Sequence, residues 1–445
     1  MNQIAIGDTS GWTVIEGQSI AAPFRHAAVF FAHGDGQTLR EKIAIQLVGS
    51  PCQISDAVRL LEQVRLRALA YAEAAYARPQ LLRFQPALGG VYYYAKINDL
   101  ALDANPDGYI SHQRGSLLVH LNYTRPNYFD GDLVELPLSG RAGTDVMGGI
   151  DLVNHTDGHS AHGNLVLVRA SAALTDLPAP LRVEIENTTA TPTLKDILIG
   201  GYHHPSVITE DAFFINANQM TGGSQFTNPA AINEYYRSVT WTASTWTPLL
   251  NAGVTAADTA DLDGRTYRPI LHLYSSHAYT DLHLKLQLKR GVFTLQSCEP
   301  VYADPDYGYV LFPPVQLPPK QLLRETLPHH VEIQVEALKE DGSPATLSVD
   351  QLILLPMDCS AVFRGFYPMS EEDTLIDDSF RGLSNVRFSA AGSETIAHIR
   401  HGGPLRLYPN ENTRLIFLLA NESNTMDIMR TAKVRLYYRP RVGIL

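Results

Sequence analysis

The stretch TDLHLKLQLKRG, residues 280–291, decides the fold class. Leu282, Leu284, Leu286 and Leu288 fall on one side of an extended chain, and Asp281, His283, Lys285, Gln287 and Lys289 fall on the other. Successive side chains of a strand point to opposite faces, so this alternation reads as a β-strand with one dry and one wet face. Its expected partners are RPILHLYSS (268–276), VEIQVEALKEDGS (331–343) and ATLSVDQLILLP (345–356), linked by proline-rich turns such as YVLFPPVQLPPKQL. Residues 191–359 therefore read as a jelly-roll or galectin-like sandwich.

The same grammar extends toward both ends. Strand-like runs occupy 41–49, 80–87, 90–102, 115–125, 132–139, 163–170 and 179–188. One helix interrupts them, over residues 55–77. Ser55 offers an N-cap, Asp56 suits the positive end of the dipole, and Arg78-Pro79 stops the helix. Ala57, Leu61, Val64, Ala68, Ala72 and Ala75 form an inward stripe of mostly small residues. Leu66 and Leu69 fall on roughly the opposite side, facing either a second layer of the same domain or a neighbouring subunit. Residues 1–190 read as a β-sandwich with this single helix, and TTATPTLKD marks a boundary near 188–196. The last segment, 360–445, again alternates, as a third sandwich or as strands completing the first. The fold class expected is mainly β, with multiple antiparallel sandwiches.

Within the first unit, LNYTRPNYFDGDLVELPLSG (121–140) reads as a hairpin around a rigid RPNYFDG link, with Pro126 fixing φ and Asp130-Gly131 supplying the turn. Tyr123, Tyr128 and Phe129 are its aromatic anchors, for packing against an adjacent protomer or inside one sandwich.

Bulk properties narrow the function. A formal charge of −11 argues against a nucleic-acid footprint, which needs clustered Lys and Arg. Cys52, Cys298 and Cys359 lie far apart with no CxxC pair, so neither a disulfide framework nor a cysteine zinc site is expected. No signal-peptide pattern opens the chain, and no apolar run approaches the ~20 residues that span a bilayer. A cytoplasmically made chain without membrane insertion is expected.

Candidate chemistry is sparse. NHTDGHSAHGN carries His155, Asp157, His159 and His162, yet Gly158 and Gly163 make it a loop with no preset metal geometry. DTADLDGRTYR (258–268) echoes a calcium loop at Asp261, Asp263 and Gly264 but has Ile270 where the bidentate glutamate belongs. SEEDTLIDDSF (370–380) is an acidic run of the kind that forms a solvated face. None of GxSxG, HExxH, GxxxxGK[ST] or a strand-borne GxGxxG occurs, so neither catalysis nor a cofactor is expected. The middle unit does offer aromatic and polar residues of the kind sugars use: Trp241, Trp246, Tyr235-Tyr236, His272, Tyr274, His277 and Tyr279. Trp241 and Trp246 stand five apart, so an unbroken strand sends them to opposite faces.

Several of these stretches together resemble phage tail proteins, in particular the distal tail protein family of siphophages and prophages. The resemblance is carried by the helix 55–77, Arg125 to Gly131, Glu135-Leu136-Pro137-Leu138, LTDLPAPLRVEIENTT (174–189), IGGY (199–202) and VRLYYRPRVGIL (434–445), about two fifths of the chain. It implies a tail-tube-related fold and a ring-forming virion structural protein at the tail tip or baseplate hub. The ring would be a hexamer, or a trimer with pseudo-six-fold symmetry. Its partners would be copies of itself, other tail proteins and a host-surface glycan, in a virion tail assembled in the bacterial cytoplasm. A tail-tube subunit and a non-viral carbohydrate-binding sandwich are the alternatives.

Overall fold

The computed structural model describes residues 3–443 apart from 9–10, 19, 35–36, 74–79, 87–89, 105–114, 141–142, 155–162, 192, 206–213, 255–263, 319–330, 381–384, 390, 396–397, 422, 424–425 and 427–430. It is mainly β, and its described residues form six antiparallel sheets paired around three hydrophobic cores, with one long α-helix.

In the first sandwich a four-stranded sheet, ordered Phe24–Gly34, Thr38–Val48, Ser116–Pro126, Asp99–Ala104, faces a six-stranded one that includes Gln3–Asp8, Leu81–Gln85 and Tyr93–Lys96. The helix Pro51–Glu73 packs into the same core through Ile54, Ala57, Leu61, Val64 and Ala68. It begins a turn earlier than its sequence predicts. Ser50 rather than Ser55 caps it: Ser50 N donates to Gln53 Oε1 (2.9 Å) and Gln53 N donates to Ser50 Oγ (3.4 Å), a reciprocal capping box with Pro51 at the first helical position.

The second sandwich draws its strands from both sides of a long insertion. Ala179–Asn187 pairs with Thr431–Tyr438 along its length, and Leu194–His204 lies between Asn412–Asn421 and Cys359–Gly365. Residues between 360 and 438 thus complete a sandwich begun at residue 134, and the stretch expected as one unit, 1–190, is divided between two cores. Pairing partners are set by tertiary packing, which alternation along one strand does not encode.

The third sandwich, 214–356, is inserted between the adjacent strands Leu194–His204 and Cys359–Gly365. The stretch that opened the sequence reading is its strand Leu282–Arg290, with all four leucines buried. Where second and third sandwiches meet, one sheet serves both cores. Leu415, Phe417 and Leu419 point into the second core, while Ile416, Leu418 and Ala420 point into the third. Burial on both faces explains why LIFLLA, 415–420, is a continuous apolar run. It also explains IGGY: a Cβ on Gly200 would lie 2.5 Å from the Leu355 side chain, and one on Gly201 would lie 2.2 Å from Cys359 Sγ.

Candidate interaction surfaces

The RPNYFDG link is a junction, which corrects the hairpin expectation. Ser116–Pro126 ends in the first sandwich, Val134–Glu135 pairs with Thr431–Tyr438 of the second, and the two flanking strands do not pair with each other. Between them Phe129 and Asp130 pair with Val442 and Arg441, so the chain's last strand ties the link to the first sandwich. Tyr123 and Phe129 are buried in the first core, Phe129 edge-on to Phe84, which withdraws both from a docking role. Tyr128 is half-buried under the Arg441 guanidinium, 4.2 Å from its ring centre.

Charges rather than apolar groups dominate this junction. Arg125 forms a two-pronged pair with Glu41, Nε to Oε2 at 2.9 Å and Nη2 to Oε1 at 2.8 Å, and Tyr123 OH donates to the same carboxylate at 2.7 Å. Burial first, and Glu41 second, hold the Tyr123 phenol far above its ordinary value. Arg441 Nε bonds Asp130 Oδ1 at 2.7 Å, Arg439 Nη1 donates to Gly131 O at 2.9 Å, and Tyr94 OH donates to Asp132 Oδ1 at 2.8 Å. Burial pushes Tyr94 up to about 12. Lys96 donates to Phe380 O and is pushed down to about 8 by burial, against the pull of Asp130 and Asp378. The acidic run 370–380 is divided: Glu371 and Glu372 are exposed as a solvated face requires, whereas Asp373, Asp377 and Asp378 are buried, with Asp377 clasped by Arg400 at 2.8 and 3.1 Å.

On the helix, Leu66 and Leu69 are 49% and 50% exposed, as the periodicity requires of residues opposite the buried stripe. In the same sandwich Phe24–Gly34 is an edge strand, paired only with Thr38–Val48 among the described residues, and its Phe30 is 55% exposed.

The third sandwich separates Trp241, Trp246, His272 and Tyr274, and keeps only some of the other expected sugar contacts together. Trp241 is buried in the core and its Nε1 finds no partner among the described residues. Trp246 lies in the connection that leads into Thr247–Val254 of the opposite sheet, half-buried beneath Lys285 Nζ at 4.6 Å. His272 is buried, its Nδ1 2.5 Å from Asp350 Oδ1, and Asp350 Oδ2 accepts from Ile232 N at 3.4 Å. Of the expected residues Tyr274 and Tyr236 meet on the outer face of one sheet, and His277 stacks on Tyr279 at 5.5 Å. Tyr274 stacks on Tyr236 at 4.1 Å and 9°, and Tyr236 stacks on Phe226 at 5.3 Å and 19°.

Phe226 escaped the sequence reading, although Gly222-Gly223 and Asn228-Pro229 bracket its short strand and place it one tight connection from Tyr236. It lies on the edge strand Ser224–Thr227, directly opposite Tyr236. The connection, residues 228–234, is strained: Asn233 (φ 55°) and Glu234 (φ 62°) are consecutive non-glycine residues in the left-handed region. Each costs about 1–3 kcal/mol, and such strain concentrates at functional loops. Asn228 N to Glu234 O (2.9 Å) closes the loop, and the Asp350 bond to Ile232 N anchors it over the sheet.

Cys298 and Cys359 are buried in the third and second cores, and Cys52 is exposed. His155, Asp157, His159, His162, Asp261 and Asp263 lie outside the described residues. Among the described residues no group of three or more His, Cys, Asp or Glu side chains is arranged to hold a metal.

No protein-family profile matches the chain, and no characterised relative does. Among solved structures, a crystallised protein from Parabacteroides distasonis ATCC 8503 aligns at 10% identity over 53% of this chain and 98% of its own, with a TM-score of 0.17. The VP2 subviral particle of infectious bursal disease virus aligns at 8% identity over 70% and 80%, also with a TM-score of 0.17. Similarities of that size carry no argument about fold or function.

Proposed function

We propose that this chain is a structural, ring-forming component of a phage or phage-like tail, of the distal tail type, and acts by docking to copies of itself. The observation that carries the reading is a pair of surfaces on the first sandwich: a long edge strand, Phe24–Gly34, whose open side is bonded among the described residues only near its start, at Phe24 and Ala27, and an exposed leucine pair on the helix, Leu66 and Leu69. An open edge is a template for association, and two different patches that meet head to tail build a ring when the rotation between protomers closes. Burying the exposed halves of two leucines contributes about 2 kcal/mol per contact.

Mass under native conditions and negative-stain imaging test this directly. The wild-type chain should form closed rings with a lumen, and Leu66→Glu with Leu69→Glu should return it to smaller species while leaving the protomer folded. A wild-type protein that stays monomeric at high concentration, or rings indifferent to the double substitution, would defeat the proposal.

A further inference from the structure

We infer that the hairpin Ser224–Trp241 of the third sandwich is a binding site for the C–H face of a neutral pyranose, seated on Phe226. The inference is independent of ring formation. Three parallel rings, Phe226, Tyr236 and Tyr274, stand in a row across the outer side of one sheet. Such a row exposes ring edges along its length and offers a whole face only at its ends. At one end the face is free among the described residues, because Ser224–Thr227 is the sheet's edge and all four of its residues are exposed.

Stacking from behind holds Phe226 in one orientation, so a ligand loses little to ordering it. Phe226 is nonetheless 45% exposed, a costly arrangement for a ring that serves only to pack.

The surroundings select the ligand class. Ser224 shares the strand face of Phe226, Thr227 points to the other face, and the strained loop that joins this strand to Tyr236 carries Asn233 and Glu234, so the same hairpin supplies hydroxyl, amide and carboxylate groups. An apolar peptide would leave these groups desolvated and unpaired, whereas a pyranose brings an apolar C–H face for the ring and hydroxyls for the rim. A phosphate-bearing ligand is disfavoured by Glu234 and by the formal charge of −11. His272 and Asp350 act as positioning residues, since their pair holds Asp350 where it anchors the loop at Ile232.

Saturation-transfer difference NMR on the full chain with methyl β-D-galactopyranoside, methyl α-D-glucopyranoside and N-acetyl-D-glucosamine provides the test. At least one should saturate with a dissociation constant on the order of millimolar, with transfer concentrated on the protons of one sugar face. Phe226→Ala should weaken that binding about tenfold or more, Phe226→Trp should retain it, and Trp246→Ala beside the opposite sheet should leave it unchanged. The inference is overturned if none of the three sugars saturates, if Phe226→Ala binds like the wild type, or if Trp246→Ala is the variant that loses binding. Phe226 lies on an exposed strand, so Phe226→Ala should fold, and its thermal transition verifies that a lost signal reports the site.

Discussion

Replacing Arg125 by methionine should destabilise the first sandwich by about 3–5 kcal/mol, because it strips one partner from a buried ion pair and leaves the other stranded. The side chains of Arg125 and Glu41 are only 3% and 1% exposed, so the pair is held out of bulk water. The substitution removes two charge-assisted bonds to Glu41, the bond to Pro126 O (2.8 Å) and the guanidinium placed 4.1 Å from the Phe129 ring centre. Glu41 would keep only the Tyr123 hydroxyl. Hydrogen exchange at the amides of Thr38–Val48 and Ser116–Pro126 reads this loss locally, which matters in a chain with three cores where a single melting temperature blends several events. Protection there should fall by roughly two to four orders of magnitude. Adding Glu41→Gln removes the stranded charge while keeping an acceptor for Tyr123, so the double variant should recover about 2 kcal/mol or more relative to Arg125→Met. A loss under about 1 kcal/mol in the single variant, or a double variant no more stable than the single, would refute the reasoning.

Two further predictions address the junctions. Burial lowers Lys96 from 10.5 to about 8, so the unfolded chain binds the extra proton more readily than the folded one between those values. The penalty for burying that charge is present in full below pH 8 and disappears as pH rises toward 10.5, so wild-type stability should climb across this window relative to Lys96→Met, by at most about 3 kcal/mol. Urea unfolding at stepped pH measures the difference, and a flat or falling difference contradicts the burial argument. Gly201→Ala should cost about 1–3 kcal/mol, because its Cβ would sit 2.2 Å from Cys359 Sγ, whereas Gly253→Ala, with nothing within 4 Å, should be close to neutral. Calorimetry compares the two, and equal effects would sink the close-packing explanation of IGGY.

The strand content and the inward and outward sides of each element were legible in the sequence, because side-chain direction along a strand or helix is a local property with a short period. The leucines of Leu282–Arg290 are buried as their alternation demands, and Leu66 and Leu69 are exposed as the helical stripe demands. Even the capping box at Ser50 was written locally and overlooked only because Ser55 offered a second plausible cap.

What tertiary structure alone decided is which distant segments meet. The strands of the second sandwich come from residues 134–204 and 359–438, and no periodicity reports a partner more than a hundred residues away. The RPNYFDG link looked like a hairpin because turn residues specify a bend without specifying what the following strand pairs with. Its Asp130 finds Arg441 across the whole chain. The row Phe226, Tyr236, Tyr274 likewise exists only in three dimensions: Phe226 and Tyr236 sit on neighbouring strands, and Tyr274 follows the strand Thr266–Leu273, which lies one intervening strand further across the sheet. Local sequence specifies direction, because sterics act between neighbours; adjacency in space is settled by the burial of whole faces, a sum over segments that no single one of them contains.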